Sequence, residues 1–547
     1  MAKQDAAFSI KSDVSPASGA STSNADLVNS KNQVIISSEA YPQETPKKLS
    51  LWRRFLGLFW DSYVADPRER KYIQKVDLHL FVYIMFGYFI KYLDQTNYSN
   101  AFVSGMQKDL NLYGNERNYL VTFFNIGIII GTVPAQMIQM KYVRPSIWIP
   151  SCELAWSFFV MAMAGAKDVK TLYALRFCVG FLESCSFPGY ATLLGSWFGP
   201  TQIGKRMALF ENAQGIASMF SGYLQAALYK GLNNSGGLAG WRWLFIFDAI
   251  ISIPIALWGF YAIPDLPSNT RARWLTKEDR EYGLERMESF GRAAPTGLTL
   301  KAIRRVYFDW HIWAFIFPYL TVAMMNYGNS YFNLWLKAEG YSVVNINTIP
   351  TAGAALSIVV ALASGIFADR TGKRKTTVSI LIITVTVGNI LLSVWHLPKG
   401  VLMFSNFLLF VGAAAQPIII SWGQEFAQHD AELRQLLVAT GNIFTYSFNA
   451  FLPVILFPTY DAPHYKFGYQ SQIIFGGLAF IGVFLLDFLV KRELFVPFPP
   501  HVSAPLTDVH RSHKESRVTT SGLVVLVTDT NEESSHNNAP REIVANV

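Results

Sequence analysis

Apolar runs of about twenty residues recur along this chain between short polar breaks, and about twenty residues is the length a helix needs to cross a hydrocarbon core. Twelve runs are legible, near 77–103, 118–139, 146–166, 171–195, 203–229 and 242–263, then 311–336, 348–368, 375–396, 400–424, 436–458 and 468–490. They form two groups of six on either side of a charged segment at 264–308. The pattern predicts an all-α membrane protein whose twelve transmembrane helices make two six-helix bundles, rocking about a site near the bilayer midplane. The expected order is a cytosolic N-terminal tail (1–75), an N-terminal bundle (76–263), a cytosolic central loop (264–308), a C-terminal bundle (309–492) and a cytosolic C-terminal tail (493–547). The first 50 residues or so and the far end lack periodicity and read as disordered. LWRRFLGLFW (51–60) reads either as an interfacial helix or as a short helix packed under the bundle.

Composition agrees with burial in lipid. Of 547 residues 51% are hydrophobic and only 15% charged, against about a quarter charged in a soluble domain. The net charge of +8 does not point to nucleic acid, because the cations gather in alternate loops. The 264–308 segment holds Arg271, Arg273, Lys277, Arg280, Arg286, Arg292, Lys301, Arg304 and Arg305. Loops 2–3, 4–5 and 8–9 add Lys141, Arg144, Lys205, Arg206, Arg370, Lys373, Arg374 and Lys375. The positive-inside rule puts these loops and both termini in the cytosol. Loop 5–6 is then outside, where the sequon Asn233-Asn234-Ser235 is a glycosylation candidate. TKED (276–279) reads as a capping box opening a surface helix. No cleavable leader is visible in the polar first 45 residues, so the first span is expected to act as its own insertion signal. Cys152, Cys178 and Cys185 all fall in spans without metal-ligand spacing and read as small core residues.

Candidate chemistry sits where charge interrupts the spans. YFIKYLDQTNYSNAFVSGM (88–106) carries Lys91, Asp94, Gln95 and Asn97. Lys91 lies about 20 Å into the helix, too deep to snorkel easily, and calls for Asp94 or a bound anion. Gln95 shares its face one turn on. In span 4, LYALRFCVGFLESCSFPG (172–189) places Arg176, Gly180 and Glu183 along one face. There Arg176 suits anion attraction and Glu183 proton carriage, the alternative being a structural buried ion pair. Span 7 is polar through Asn326, Tyr327 and Asn329. Asn442 and Asn449 in span 11 either line a cavity or bond between helices. Glu153, Glu211 and Glu425 read as helix-end or interface groups, with function as the alternative, and Trp422 as an interfacial anchor or a stacking surface. No nucleophile–base pair, metal cluster or nucleotide-binding glycine loop is evident, so neither an enzyme nor a cofactor is expected.

SGIFADRTGKRK (364–375) spells Gly365-x-x-x-Asp369-Arg370-x-Gly372-x-Arg374, with Gly365 suited to close packing, Gly372 to a tight turn and the charges to a breakable latch. It resembles the cytoplasmic gate motif of the major facilitator superfamily; the loop after span 2, QMKYVRPSIW, lacks it. LDQTNYSNAFVSGM, RFCVGFLESCSFPG, LAGWRWLFIFD, IPDLPSNTRARWLTKEDRE, NLWLKAEGYS and SWGQEFAQHDAELR follow in order. Together they resemble the fungal anion:cation symporter (allantoate permease) family over about 70–492, and are most similar to its pantothenate and biotin branch. The resemblance implies the major facilitator fold and plasma-membrane import of a small carboxylate with protons by a monomer. It implies a substrate-site role for Arg176, proton coupling at Glu183, and gates and substrate contacts in span 7; from the residues themselves, Lys91, Gln95 and Asn97 are the anion-site candidates on span 1, Asp94 is the second proton carrier, and Asn442 and Asn449 remain cavity-lining or interhelix groups. Most fungal members read Asp-Arg-x-Asn where this chain has Asp94, Gln95 and Asn97, so Lys91 becomes the displaced cation. Span 5 has Gly215 and Gly222 but no Gly-Pro pair of the kind common in drug:proton antiporters, which favours uptake. Alternatives are uptake of allantoate or another nitrogen-source anion, transport of a specialised metabolite, and a non-transporting nutrient sensor.

Overall fold

The computed structural model describes residues 66–289, 300–427 and 431–492, with strands at 516–520 and 523–527. Residues 1–65 of the expected tail, the 51–60 stretch included, lie outside the described residues, while 67–75, expected in the tail, are helical and open span 1. Span 1 is Pro67–Asp109, span 2 Glu116–Met137 and span 3 Pro145–Met163. Span 4 comes in two pieces, Val169–Glu183 and Ser186–Trp197, followed by span 5, Pro200–Leu232, and span 6, Gly240–Ala262. Span 7 runs from Trp310–Met325 through a 3₁₀ turn at Tyr327–Tyr331 to Phe332–Ala338. Spans 8 to 12 are Val343–Thr371, Arg374–Val394, Lys399–Phe426, Ala431–Leu456 and Gly468–Lys491.

Eight of these helices are long and apolar enough to cross a membrane by length and composition. The other four depart for visible reasons. Spans 4 and 7 are interrupted, span 5 carries Lys205, Arg206, Glu211 and Lys230, and span 11 carries Asn442 and Asn449. Span 1 begins well before the apolar run, at Pro67, because Asp66 caps it by accepting from Arg68 N at 3.1 Å and proline suits the first helical position. That first turn is charged and invisible to hydropathy.

Within the N-terminal half, span 2 packs on span 4, span 3 on span 6 and span 1 on span 5; in the C-terminal half, spans 7 and 9 both pack on span 12. The halves meet along two seams, span 2 against span 11 and span 5 against span 8. Gly180 sets the 2–4 spacing, since a Cβ there would collide with the carbonyl oxygen of Phe124. Gly372 ends span 8 in the left-handed region at φ 65°. Gly365 differs from expectation: a Cβ there meets nothing within 4 Å, so it makes no close helix contact.

The end of the molecule away from the termini is tied across the halves. Asn118 Nδ2 donates to Pro453 O (3.0 Å) and Phe457 O (2.7 Å), Thr122 Oγ1 to Ala450 O (2.5 Å), and Asn347 Nδ2 to Ser104 Oγ (2.9 Å). Arg117, buried, donates to Ser330 O at 2.7 Å and lies 4.6 Å from the Tyr331 ring centroid.

At the other end, Thr276 and Asp279 form the expected capping box, Asp279 N to Thr276 Oγ1 (3.2 Å) and Thr276 N to Asp279 Oδ2 (3.1 Å), opening the helix Lys277–Ser289. Asp279 also accepts from Lys75 Nζ at 2.6 Å. Partial burial alone would raise its carboxyl, but Lys75 and Thr276 outweigh that and hold it below the usual carboxylate range. Arg286 completes the attachment through Glu69 (3.2 Å), Trp197 O (3.1 Å) and Gln202. A second helix of the central loop, Leu300–Phe308, joins the C-terminal half through the Tyr307–Thr440 hydroxyl contact at 2.7 Å. In the segment expected to be a disordered tail, Ser516–Thr520 pairs antiparallel with Leu523–Val527; both strands are rich in β-branched residues.

Candidate functional site

Lys91 is 2% exposed, and among the described residues no carboxylate lies within ion-pairing distance of its ammonium. The pairing with Asp94 that the three-residue spacing suggested is not formed. Three residues along a helix leave a 60° offset, enough to send the two groups to different neighbours. Lys91 Nζ lies 5.8 Å from the Tyr88 ring centroid and 5.9 Å from that of Tyr92. It is within electrostatic reach of Glu183 on span 4 and Glu211 on span 5. Tyr88 OH in turn contacts Tyr92 OH (3.3 Å) and Glu211 Oε2 (3.4 Å). A cation held among aromatic rings can accept an anion without first breaking a salt bridge.

Gln95 and Glu183 meet directly, Gln95 Nε2 donating to Glu183 Oε1 at 2.6 Å, while the buried Oε2 has no partner. Arg176 does not pair with Glu183 as the structural alternative required. Its guanidinium sits 4.8 Å from the Tyr98 centroid and 4.5 Å from that of Phe124, with Nε and Nη1 unpartnered. Span 1 and span 4 thus bring Lys91, Gln95, Arg176 and Glu183 into one polar cluster inside the N-terminal half.

Asp94 turns instead toward Asp248 on span 6, with the two carboxyl groups in hydrogen-bonding proximity and both fully enclosed at 1% and 0% exposure. Asn97 Nδ2 donates to Asp248 Oδ2 at 2.5 Å. Asp248 was missed by the sequence reading, although an aspartate inside the apolar run FIFDAIISIP is the kind of intramembrane ionisable group that marks a site.

In the C-terminal half, Tyr319 OH donates to Asn442 Oδ1 at 2.8 Å. Tyr446 on span 11 is within electrostatic reach of Tyr88 and Tyr92 across the seam. Tyr327 and Asn449 line a small pocket with Met324, Leu452, Phe457 and Gln472. Asn326 bonds Val322 O (3.0 Å) and Gly412 O (3.1 Å), tying the break in span 7 to that in span 10. Asn329 sits on the 3₁₀ turn and accepts from Ser330 Oγ at 3.3 Å.

The remaining candidates lie apart. Glu153 is buried and accepts from Tyr83 OH (2.6 Å) and Tyr190 OH, a self-contained network. Arg374 pairs with Glu425 at 3.0 Å, joining the loop after span 8 to the end of span 10, while Arg370 is exposed and Asp369 lies on the span 8 helix with its side chain outside the described set. Trp422 is buried. Arg206, counted among loop cations, lies inside span 5 and binds Asp77 of span 1 bidentately at 2.7 Å. Span 1 and span 5 thereby gain a polar tie near the end where the loop after span 2 lacks the gate pattern. Asn233 is exposed at the end of span 5, its Oδ1 accepting from Gly240 N at 2.8 Å.

Comparison with known proteins places this architecture. The pattern of the Major Facilitator Superfamily matches residues 84–453. The chain is 36% identical to MFS transporter PfmaC of Pestalotiopsis fici over 76% of this chain and 79% of that one. It is 29% identical to pantothenate transporter liz1 of Schizosaccharomyces pombe, covering 87% and 95%. With the vitamin H transporter of Saccharomyces cerevisiae the identity is 30%, covering 82% and 77%. The xylose transporter XylE from E. coli, in a partially occluded inward-open conformation, superposes with a TM-score of 0.56 at 14% identity, over 77% of this chain and 99% of that one. At that identity the likeness concerns the fold alone.

Proposed function

From the premise that the chain belongs to the Major Facilitator Superfamily, and is a multi-pass membrane transporter of small molecules rather than an enzyme, we propose that it imports a small organic monocarboxylate together with protons. The proposed substrate is a vitamin of the pantothenate or biotin kind, the two classes named for its relatives. The observation that carries the anion half is Lys91, a buried ammonium with no carboxylate paired to it among the described residues, beside the Gln95–Glu183 hydrogen bond. Lys91 and the incompletely bonded Arg176 attract the carboxylate. Asp94 and Glu183 take and release protons as the halves rock. Anion and proton then favour one another, because each neutralises a charge that would otherwise stay uncompensated in a low dielectric.

In this reading Gln95 and Asn97 orient the substrate from one half, and Asn442, Asn449, Tyr327, Asn326 and Asn329 meet it from the other. The Gly365–Arg374 loop, with Asp369, Arg370 and Gly372, gates the cytosolic side. The protein works as a monomer in the plasma membrane with both termini cytosolic and Asn233 outside; the tied end through Arg117 and Asn118 is then the outer gate, closed.

A counterflow screen on purified protein tests the substrate, and uptake in cells with and without a protonophore tests the coupling. If neither labelled pantothenate nor labelled biotin exchanges, the vitamin reading falls. If uptake of the exchanged substrate ignores the protonophore and external pH, proton symport falls.

A further inference from the structure

Starting at Asp248, an unbroken line of hydrogen bonds crosses from one half of the protein to the other. Asn97 Nδ2 donates to Asp248 (2.5 Å), Ser221 Oγ to Asn97 Oδ1 (2.6 Å), Asn100 Nδ2 to Ser221 Oγ (2.7 Å) and Asn333 Nδ2 to Asn100 Oδ1 (2.9 Å). The line visits spans 6, 1, 5, 1 and 7 in turn, and its last bond joins the two halves. All four donors point the same way, toward the carboxyl group. Chains so oriented polarise one another, and their strength depends on the charge of the terminal acceptor.

The acceptor end is a carboxyl pair. Asp94 has no donor on either oxygen among the described residues, whereas Asp248 has Asn97 and Ser252. The groups facing Asp94 are Asp248 from span 6 and Glu183 and Arg176 from span 4, two carboxyl groups and one guanidinium. Two enclosed carboxylates in hydrogen-bonding proximity cannot both stay ionised cheaply, so the stable arrangement shares one proton, an O–H on Asp94 donating to Asp248.

Resting on the proton-symport reading above, we infer that Asp248 is the second half of the proton site, and that Asn97, Ser221, Asn100 and Asn333 carry its charge state to the contact between the halves. A proton taken from water makes the Asp94 O–H and leaves Asp248 as the charged end of the chain, holding Asn100 to Asn333. Returned to water on the other side, that proton leaves two repelling carboxylates, and the displacement of Asp248 slackens the chain and its interhalf bond. Asp248 is a positioning and proton-sharing residue; it needs no contact with substrate.

The test uses purified full-length protein in vesicles with labelled pantothenate and labelled biotin, comparing accumulation driven by an imposed pH gradient with counterflow at equal pH. Wild type should accumulate with the gradient; accumulation that ignores it removes the symport reading itself. Given a responsive wild type, Asp248→Asn, which keeps an acceptor for Asn97, should retain counterflow while gradient-driven accumulation falls about tenfold and its pH profile flattens. Asp248→Glu should restore both. Asn333→Ala should keep counterflow and lose accumulation in the same manner. A wild-type pH profile in Asp248→Asn overturns the inference, and so does an equal loss of counterflow and accumulation, which would mark a purely structural carboxyl.

Discussion

Replacing Lys91 with alanine removes the only proposed substrate cation on span 1 and nothing that holds the fold together. Among the described residues the ammonium makes no ion pair, and its neighbours include the Tyr88 and Tyr92 rings near 6 Å, contacts worth about 0.5–2 kcal/mol. Part of that is returned because a buried charge no longer needs solvating. The folded protein should therefore reach the membrane with little change in thermal stability. A substrate carboxylate about 4 Å from the ammonium gains roughly 4 kcal/mol at an effective dielectric near 20. Discounting for lost solvation leaves about 2–3 kcal/mol, or roughly thirty- to 150-fold in apparent affinity. Counterflow measured against substrate concentration reads this directly, and Lys91→Arg should keep most of it. The double variant Lys91→Ala/Gln95→Arg should recover only part, because an arginine at 95 meets Glu183, to which Gln95 now donates at 2.6 Å. An apparent affinity for Lys91→Ala within about threefold of wild type would refute the displaced-cation argument.

Three further outcomes follow from the geometry. Arg117→Ala removes a guanidinium that bonds Ser330 O and lies over Tyr331, which should weaken closure of that end by about 2–3 kcal/mol; an impermeant maleimide applied outside should label Asn449→Cys several times faster in that background, and unchanged labelling would count against an outer gate there. Asp279→Asn should loosen the Lys277–Ser289 helix by about 1 kcal/mol at neutral pH, seen as faster amide exchange over its first turns. The depressed Asp279 carboxyl makes its contribution complete above the ordinary value of about 4 and lost only as pH falls through the lower folded value, so the protection factors of these amides, with the pH dependence of intrinsic exchange divided out, should stay flat in the wild type between pH 5 and 7. A glycosidase should increase gel mobility of protein from a glycosylating host, and Asn233→Gln should abolish that shift; a shift that survives the substitution would place the sugar elsewhere.

Much of the architecture was legible because lipid imposes a simple rule: a span is apolar, and a charge within one is costly. The run limits anticipated most helix ends closely, and the polar interruptions at 91–97 and 176–183 fall on helices that meet at Gln95–Glu183. What hydropathy and spacing could not supply was rotation and partnership. Lys91 and Asp94 look like a natural pair on paper, yet Asp94 faces span 6 because Asp248 sits there. Asp248 lay within a stretch that read simply as apolar span. Arg206 looked like a loop cation because its bidentate partner, Asp77, is more than a hundred residues away. Gly365 carried a motif expectation of close packing that only the neighbouring helices could settle, and none approaches it.

The attachment of Lys277–Ser289 to the ends of spans 1, 4 and 5 bears on how far the machine can travel. From 264 to 308 the halves are joined by a long peptide, but its first helix is fastened to one half through Lys75, Glu69 and Trp197, and its last to the other through Tyr307 and Thr440. The leash left between Ser289 and Leu300 is residues 290–299, and ten residues pulled straight reach at most about 35 Å. Separation of the halves at this end is thus bounded by the contour length of those ten residues. Shortening it by a few residues should arrest transport while leaving both bundles intact.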